Sequence, residues 1–351
     1  MDEAVRGDWL RSSLIEASAP FASRTDRVLG ADLPPAAQAD FAPCRASAEV
    51  RTWRMHDVTY LRHPGRAYRD GALIEPTYRE VFDAEPDMVR RQLAGPHRRV
   101  DVGRVFCATN RFNANYYHQL VDVIPAVAAY AGDPGFAHGM LLGPNEDYVP
   151  LLRAGLALAG VTPPPLLPAA LAGPLDIADL TFCSLLNGDD RPSLFARSVY
   201  ARMAAAAGPA EGPSLIYVWR ADSPTRPMRN EDALVDALAG LGVAPVLLSA
   251  LTLAEQVRLF GAARLVIGPH GAGLANVVFA PPGAVLYELL PSHYVKPHMS
   301  RLAELRGLHY WCDVHPAETR PGLWRHHTPW WVDIDAVVAR VSAILRLYRL
   351  G

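Results

Sequence analysis

The densest concentration of chemistry-bearing residues is the run Gly268-Pro269-His270-Gly271-Ala272-Gly273-Leu274-Ala275-Asn276. Its glycines let a ligand approach the backbone, and a helix opening behind them offers free amides to an anion. The order G-x-x-G-x-G is not the dinucleotide fingerprint G-x-G-x-x-G, and no Gly-Lys-Ser/Thr ending marks a Walker A loop. A tight strand-to-helix turn that uses glycine for geometry alone is the competing reading. The His-Gly-Ala-Gly run would also suit the oxyanion loop of an esterase. That chemistry needs a G-x-S-x-G elbow, and the chain has none.

Two further groups stand out. Trp219-Arg220 is followed by Arg226, Arg229, Asn230 and Glu231, and three such arginines can hold a diphosphate through forked, charge-assisted bonds. In the same group Asn230 reads as the N-cap of the next helix, and Glu288 near a strand end reads as a partner for ribose hydroxyls. Upstream, Asn115-Tyr116-Tyr117-His118-Gln119-Leu120-Val121-Asp122 places His118 and Asp122 at i and i+4, on one face of a helix. That pair suits an oriented general base, or two ligands of a metal that lacks visible partners; a structural histidine is the plainer alternative. Gln119 is expected to face solvent. Asp189-Asp190 is the one acidic pair of the kind metal-dependent sugar transfer uses, and it falls in an expected surface loop. His326-His327 is expected at the rim or surface. No Cys/His cluster has ligand spacing, so no metal is expected.

The elements that must position these residues follow from periodicity. Residues 102–108 are expected as a buried strand, then a helix capped by Asn115 with Leu120, Val121, Ile124, Val127 and Ala128 on one stripe. Helices at 151–159 and 193–207 and a strand at 180–185 complete an α/β domain over 51–209. Residues 1–50 read as an irregular arm, and 208–213 (Gly-Pro-Ala-Glu-Gly-Pro) as a linker. From 210 to 351 strands and helices alternate regularly: strands at 215–219, 243–248, 265–268, 285–289 and 309–312. Between them come a helix after Asn230, one opened by the capping box Thr252-x-x-Glu255, and one at 274–279. Such alternation predicts a parallel sheet covered on both faces. The last helix carries Ile334, Val337, Val338, Val341, Ile344, Leu345 and Tyr348 on one stripe, suited to packing back on the N-terminal domain.

Composition bounds the partners. At 351 residues and about 150 per domain, two domains are expected. The formal charge of −2 argues against a general nucleic-acid binder, which needs a basic surface to displace counterions. Lys296 is the only lysine among 34 basic residues, which fits a compositional bias of the coding sequence. Four separated cysteines without a CxxC suit reduced thiols. No secretory leader and no long apolar run is visible, so the expectation is a cytoplasmic protein whose membrane contacts would be peripheral.

Taken in order, the motifs resemble glycosyltransferase family 61, also known as DUF563. The resemblance rests on Tyr217-Val218-Trp219-Arg220, Arg229-Asn230-Glu231, 255–260 (Glu-Gln-Val-Arg-Leu-Phe), 268–276, 279–283 (Phe-Ala-Pro-Pro-Gly) and Glu288-Leu289-x-Pro291, with 115–122 as the upstream motif. It covers roughly residues 100–315. It implies a fold of GT-B type, α/β with two Rossmann-like domains facing a central cleft. It also implies an inverting, metal-independent transferase that needs no cofactor and uses a nucleotide-sugar donor, usually UDP-linked. On that resemblance His118 and Asp122 are catalytic. Arg220, Arg226, Arg229, His270, Gly271, Ala272, Gly273, Leu274, Asn276 and Glu288 bind the donor. Asn115 and Tyr117 lie on the acceptor side, and the acceptor is a saccharide, a lipid-linked molecule or a small molecule, as in surface-polysaccharide synthesis. Gln119 and Trp219 depart from the family pattern, where an aromatic residue and a serine are common. A GT-B enzyme using another activated sugar, and a nucleotide-sugar-binding protein without catalysis, are the alternatives.

Overall fold

The computed structural model describes residues 3–5, 8–21, 25–77, 86–112, 114–167, 173–187, 191–318 and 328–350. It is mixed α/β and divides into two compact units: Met1–Pro20 with Ala46–Ala206, and Phe21–Arg45 with Ala207–Gly351. In chain order the strands are β1 (Glu3–Val5), β2 (Leu10–Glu16), β3 (Arg27–Leu29), β4 (Val50–Leu61), β5 (Arg66–Arg69), β6 (Ala72–Leu73), β7 (Arg98–Val100), β8 (Val105–Cys107), β9 (Met140–Leu142), β10 (Leu175–Cys183), β11 (Leu215–Trp219), β12 (Ala244–Leu247), β13 (Leu265–Pro269), β14 (Val285–Pro291) and β15 (His309–His315).

The sheet of unit 1 runs β1-β2-β4-β10-β8-β9, with β5 and β6 added beside β4 and β7 beside β10. It is a mixed sheet rather than a Rossmann-like parallel one. β10, β8 and β9 are parallel, while β2, β4 and β10 are antiparallel. Part of the difference lies in residues 50–73, where β4, β5 and β6 are joined by short turns that permit only antiparallel neighbours. One of these is Asp70-Gly71, with φ of 50° and 77°, the residue pair and backbone of a type I′ hairpin. After β8 a helix begins at Asn115, whose side chain accepts from the Tyr117 amide at 2.9 Å, as the sequence predicts. It passes through a π-helical turn at Gln119–Val123 and continues as Ile124–Tyr130, buried throughout.

Residues 1–50, expected to be irregular, contain three strands, β1 pairing with β2, and a four-residue helix at Pro35–Gln38. β2 pairs with β4, but its second inward position is Ser12, bonded to Arg51 Nη1 at 3.2 Å, so the apolar alternation is hidden. β3 has only three residues and pairs with β15, far away in sequence. Neither leaves a local signal.

In unit 2 the strands run β12-β11-β13-β14-β15-β3, every pair parallel. Without β3 this is the 2-1-3-4-5 order of doubly wound sheets. The capping box Thr252–Glu255 is present as predicted. Asn230 is not a side-chain cap: its amide instead bonds both ways with the Val332 backbone, at 2.8 and 3.1 Å, and so holds the segment before the last helix. That last helix is Ile334–Tyr348. Its Val337, Val341 and Ile344 enter the core of unit 2 with Leu234, Leu238 and Tyr287. The segment after β13 is a helix of 3-10 type, Ala272–Phe279, fully buried from Leu274 onward.

Asn276 shows why that tight helix holds its place. Fully buried, it donates to Gln256 Oε1 at 2.9 Å and to the Gly273 carbonyl at 3.0 Å, while Gln256 Nε2 donates to the carbonyls of Leu248 and Leu251. Asn276→Ala leaves two buried acceptors without this donor, at about 1–3 kcal/mol for such a loss. Urea unfolding should show a drop of that size; a variant within about 0.5 kcal/mol of the parent would show that the network is dispensable.

Candidate functional site

In unit 2 the chain order reverses at β11, whose neighbours are β12 on one side and β13 on the other. Loops leaving the carboxyl ends of strands part at such a switch point, and open α/β sheets bind ligands there. β11 ends at Trp219, so Arg220 is the first residue beyond it. β13 ends at Pro269, so His270 and Gly271 are the first beyond that. The sheet thus brings together the two groups that the sequence singles out separately.

Arg220 is mostly buried, with part of its surface still exposed. Its Nη2 donates to Ser223 Oγ at 2.6 Å and to the Thr225 carbonyl at 2.7 Å, and Nη1 lies against Gly271. Gly271 has extended backbone (φ −177°), so glycine is required there for the absent Cβ rather than for its dihedral. Among the described residues Arg220 forms no ion pair. Burial, with the positive charge of Arg226 next in weight, lowers its pKa to about 10. Arg226 sits at φ 50°, with its guanidinium 4.8 Å from the Tyr294 ring centroid and Nη2 donating to the His270 carbonyl at 3.3 Å. Burial holds it, too, below the ordinary arginine value. Arg229 is apart from them: its exposed side chain pairs with Glu318 at 3.2 Å.

His270 and Glu288 form a buried pair, Nδ1 to Oε1 at 2.6 Å, and Tyr310 donates to the other carboxylate oxygen at 2.6 Å. Glu288 is fully buried with both oxygens occupied, so it orients His270 and presents no oxygen to a ribose. With Glu288 ionised, Nδ1 carries the proton and Nε2 is an acceptor. Burial, outweighing the carboxylate, pushes the His270 imidazole below its usual range.

The amides expected to meet an anion are only partly free. Leu274 N–H donates to the Gly271 carbonyl at 3.1 Å, and His270 N–H to Leu289. The amides of Gly271, Ala272 and Gly273 have no acceptor among the described residues and precede or open the helix, as an anion cradle requires. Asn276 faces the interior, in the network described above. Glu231, whose role the sequence does not disclose, is buried. It accepts from Tyr217 OH at 2.9 Å and from the Arg220 amide at 3.2 Å, which fixes where the arginine leaves the sheet.

Unit 1 contains the second histidine–carboxylate pair. His118 Nδ1 lies 2.6 Å from Asp122 Oδ2, the i,i+4 contact that the sequence spacing allows, here spanning the π-helical turn. Such turns recur at functional sites. Tyr200 OH lies 3.4 and 3.5 Å from the carbonyls of Leu120 and Val121 in this turn. Asn110 Nδ2 donates to Asp122 at 3.1 Å and to the Leu186 carbonyl at 3.3 Å. Phe112 stacks on the His118 ring at 4.4 Å, and Tyr117 meets it edge-on at 5.1 Å. The carboxylate is 5% exposed and the imidazole 15%, so Asp122 is the inner, orienting member and His118 Nε2 the outward one. Tyr117 is therefore buried packing for the imidazole, Asn115 an exposed helix cap, and Gln119 fully buried rather than solvent-facing. Asn110 and Phe112 precede the motif by several residues; a polar stretch after a buried strand was the only signal for them.

Asp189-Asp190 and His326-His327 lie outside the described residues. Among the described residues no three His, Cys, Asp or Glu side chains gather as a metal site, and no helix is long and apolar enough to cross a membrane.

Residues 116–287 match the family model described as Glycosyltransferase 61. The chain is similar to a "Beta-1,2-xylosyltransferase" of Arabidopsis thaliana, 33% identical over 81 residues, 23% of this chain and 15% of the relative. It is similar to an "EGF domain-specific O-linked N-acetylglucosamine transferase" of Gallus gallus, 32% identical over 108 residues, 29% and 20% of the two chains. A "Protein O-linked-mannose beta-1,4-N-acetylglucosaminyltransferase 2" of Tetraodon nigroviridis is 42% identical over 72 residues, 20% and 12%. The matches span less than a quarter of each of these relatives.

The buried His270 has a consequence for stability. Its folded-state pKa lies below the unfolded value of about 6.5, so the unfolded chain binds the proton more tightly. The resulting stability is present above about pH 6.5 and is lost as pH falls through that value. Urea midpoints should fall between about pH 7.5 and about pH 5.5, and His270→Gln should flatten part of that slope. His315, also lowered by burial, accounts for some of the remainder. An identical slope in parent and variant would remove His270 as a cause.

Proposed function

We propose that this chain is an inverting glycosyltransferase of family 61, transferring a sugar from a UDP-linked donor to an acceptor hydroxyl without a metal. One observation carries the reading: the stretch matched by the family model includes both the His118–Asp122 dyad and the Arg220–Gly271 junction at the sheet's switch point. The named relatives are sugar transferases, of xylose in one case and N-acetylglucosamine in others, which supports transfer as the reaction class.

Inverting transfer is a single displacement. The acceptor oxygen forms a bond to the anomeric carbon as the bond from that carbon to the diphosphate oxygen breaks, and the hydroxyl proton passes to a base. In this assignment the nucleotide diphosphate sits on the amides of Gly271, Ala272 and Gly273, with Arg220 and Arg226 beside it. Its developing charge meets donors already in place, each worth about 3–4 kcal/mol in comparable sites. His118 Nε2 takes the proton while Asp122 holds Nδ1–H and stabilises the imidazolium, a contribution of about 10²–10⁴-fold. His270 Nε2, fixed as an acceptor by Glu288 and Tyr310, takes a hydroxyl of the donor. The acceptor is a saccharide, lipid-linked or small molecule in surface-polysaccharide or glycoconjugate synthesis, and the setting cytoplasmic.

Calorimetry with UDP tests the donor assignment. Arg220→Ala should weaken binding about tenfold or more, the loss of one charged hydrogen-bonding group, and more than Arg226→Ala does. Parent-like affinity in both would move the diphosphate elsewhere. Turnover tests the base, with donor hydrolysis as the assay until the acceptor is found. His118→Ala should lower kcat by about 10²-fold or more with UDP affinity unchanged, and Asp122→Asn should lower it less while shifting the pH–rate profile. A near-normal His118→Ala beside an inactive Asp122→Asn would exchange the two roles. Activity should survive excess EDTA; its loss, with recovery on Mn²⁺, would overturn the metal-free mechanism.

A further inference from the structure

Arg62, the residue after β4, is a cation with two of its three nitrogens unpartnered among the described residues. Its Nη1 donates to the Gly143 carbonyl at 3.2 Å. Its Nε and Nη2 are buried and have no partner among the described residues. Those two N–H groups are parallel and form the side-on fork with which a guanidinium grips a carboxylate or phosphate. At two other positions the same edge is filled by an aspartate. Arg54 places Nε and Nη2 on Asp179 at 2.9 and 2.6 Å, and Arg340 places them on Asp313 at 3.0 and 2.9 Å. Arg62 keeps the fork and has no acid on it among the described residues. Its ionisable neighbours are Tyr60 and Cys107, and burial keeps both neutral, the thiol pushed up to about 11. Burial lowers Arg62 itself, so the folded chain carries an uncompensated cost at this position.

Its place in the fold is a second observation. Gly143 follows β9 and Thr109 closely follows β8, so Arg62 lies at the carboxyl ends of the parallel strands of unit 1, where α/β sheets take ligands. Tyr60, two residues before it, donates to the Thr109 carbonyl at 3.2 Å. The turn that Arg62 opens rests on the next loop: a Cβ on Gly65 would stand 2.6 Å from the Arg111 amide and 3.0 Å from Asn110. That same loop holds Asp122 through Asn110 and stacks Phe112 on His118. Arg111 adds a second cation there, 5.6 Å from the Phe112 ring centroid.

We propose that Arg62 reads an anionic group on the acceptor, a carboxylate or a phosphate gripped by its side-on fork, while His118 takes the proton of the acceptor hydroxyl. This rests on the transfer reading above and adds to it the substrate class: an acidic acceptor rather than a neutral one. Neither free nitrogen is open to water, so the guanidinium or the turn at 62–65 shifts as the anion enters.

The test is binding to the full chain, held in saturating UDP so that phosphate does not report the donor site. Methyl β-glucuronide probes the carboxylate source, inorganic phosphate the phosphate source, and methyl β-glucoside is the neutral control. The parent should bind one of the two anions saturably and the glucoside not at all. Arg62→Gln should weaken the anion at least tenfold with UDP affinity unchanged. Arg62→Lys, which keeps the charge without the fork and guards against a folding defect in the glutamine variant, should weaken it several-fold. Preference for glucuronide identifies an acceptor of uronic-acid type, and preference for phosphate a phosphorylated one. Saturable binding of neither anion, or equal binding by parent and Arg62→Gln, overturns the proposal. His118→Ala should retain the anion while losing turnover, so failure of the transfer reading and failure of the anion site are read separately.

Discussion

A guanidinium ion buried against a glycine is the constraint around which unit 2 is arranged. Arg220 leaves β11 into a region where it meets no carboxylate at ion-pair distance among the described residues and where Arg226 adds like charge. Only neutral oxygens, those of Ser223 and Thr225, hold it. Its Nη1 occupies the space that a side chain at 271 would need, so residue 271 must be glycine. The backbone then enters the 3-10 helix at Ala272 with its first amides unspent, beside an uncompensated positive charge. An anion with several oxygens answers both needs. The free protein holds this arrangement at a cost in stability, the common price of a preorganised site.

The two histidine–carboxylate pairs have equal lengths and different origins. His118–Asp122 is local: two residues four positions apart, with the π-helical turn and the amide of Asn110 setting its geometry. His270–Glu288 is made by the sheet. β13 and β14 are parallel neighbours, with Gly268 opposite Glu288, so the carboxylate comes beside the residue just past the β13 end. Tyr310 reaches the same carboxylate from β15, the next strand over. The local pair leaves its imidazole partly exposed. The sheet-built pair is almost wholly buried, as a group that fixes orientation requires.

That difference in origin decides what was legible beforehand. Spacing at i,i+4 exposes His118–Asp122 directly, and strand–helix alternation exposes the parallel sheet of unit 2 and the switch-point loop. The partnership of Glu288 with His270 depends on strand register, which one sequence does not state, so a carboxylate near a strand end looked like a ribose ligand. Asn276 and Asn230 went the same way. Both lie where polar residues suggest a ligand or a cap, and both instead satisfy backbone or amide groups brought in by remote segments. β3 and the docking of the last helix are also non-local, and three residues or a single apolar stripe cannot name their partner. Nothing in the sequence marks Arg62, because what distinguishes it is an absence: among the described residues it has no acid of the kind that Arg54 and Arg340 have.

Residue type at these positions follows from the same physics. Burial brings Arg220 down to about 10, which leaves it fully charged at neutral pH. A lysine starts at about 10.4, and an equal displacement would bring it near 8, where a fraction of the molecules would present a neutral amine. Its compact ammonium would also forgo the planar array that reaches Ser223, Thr225 and the face of Gly271 together. A desolvated position whose cation must stay charged at neutral pH is therefore restricted to arginine. The chain's near-total preference for arginine over lysine, whatever its origin in coding bias, supplies the one cation that stays charged under these conditions.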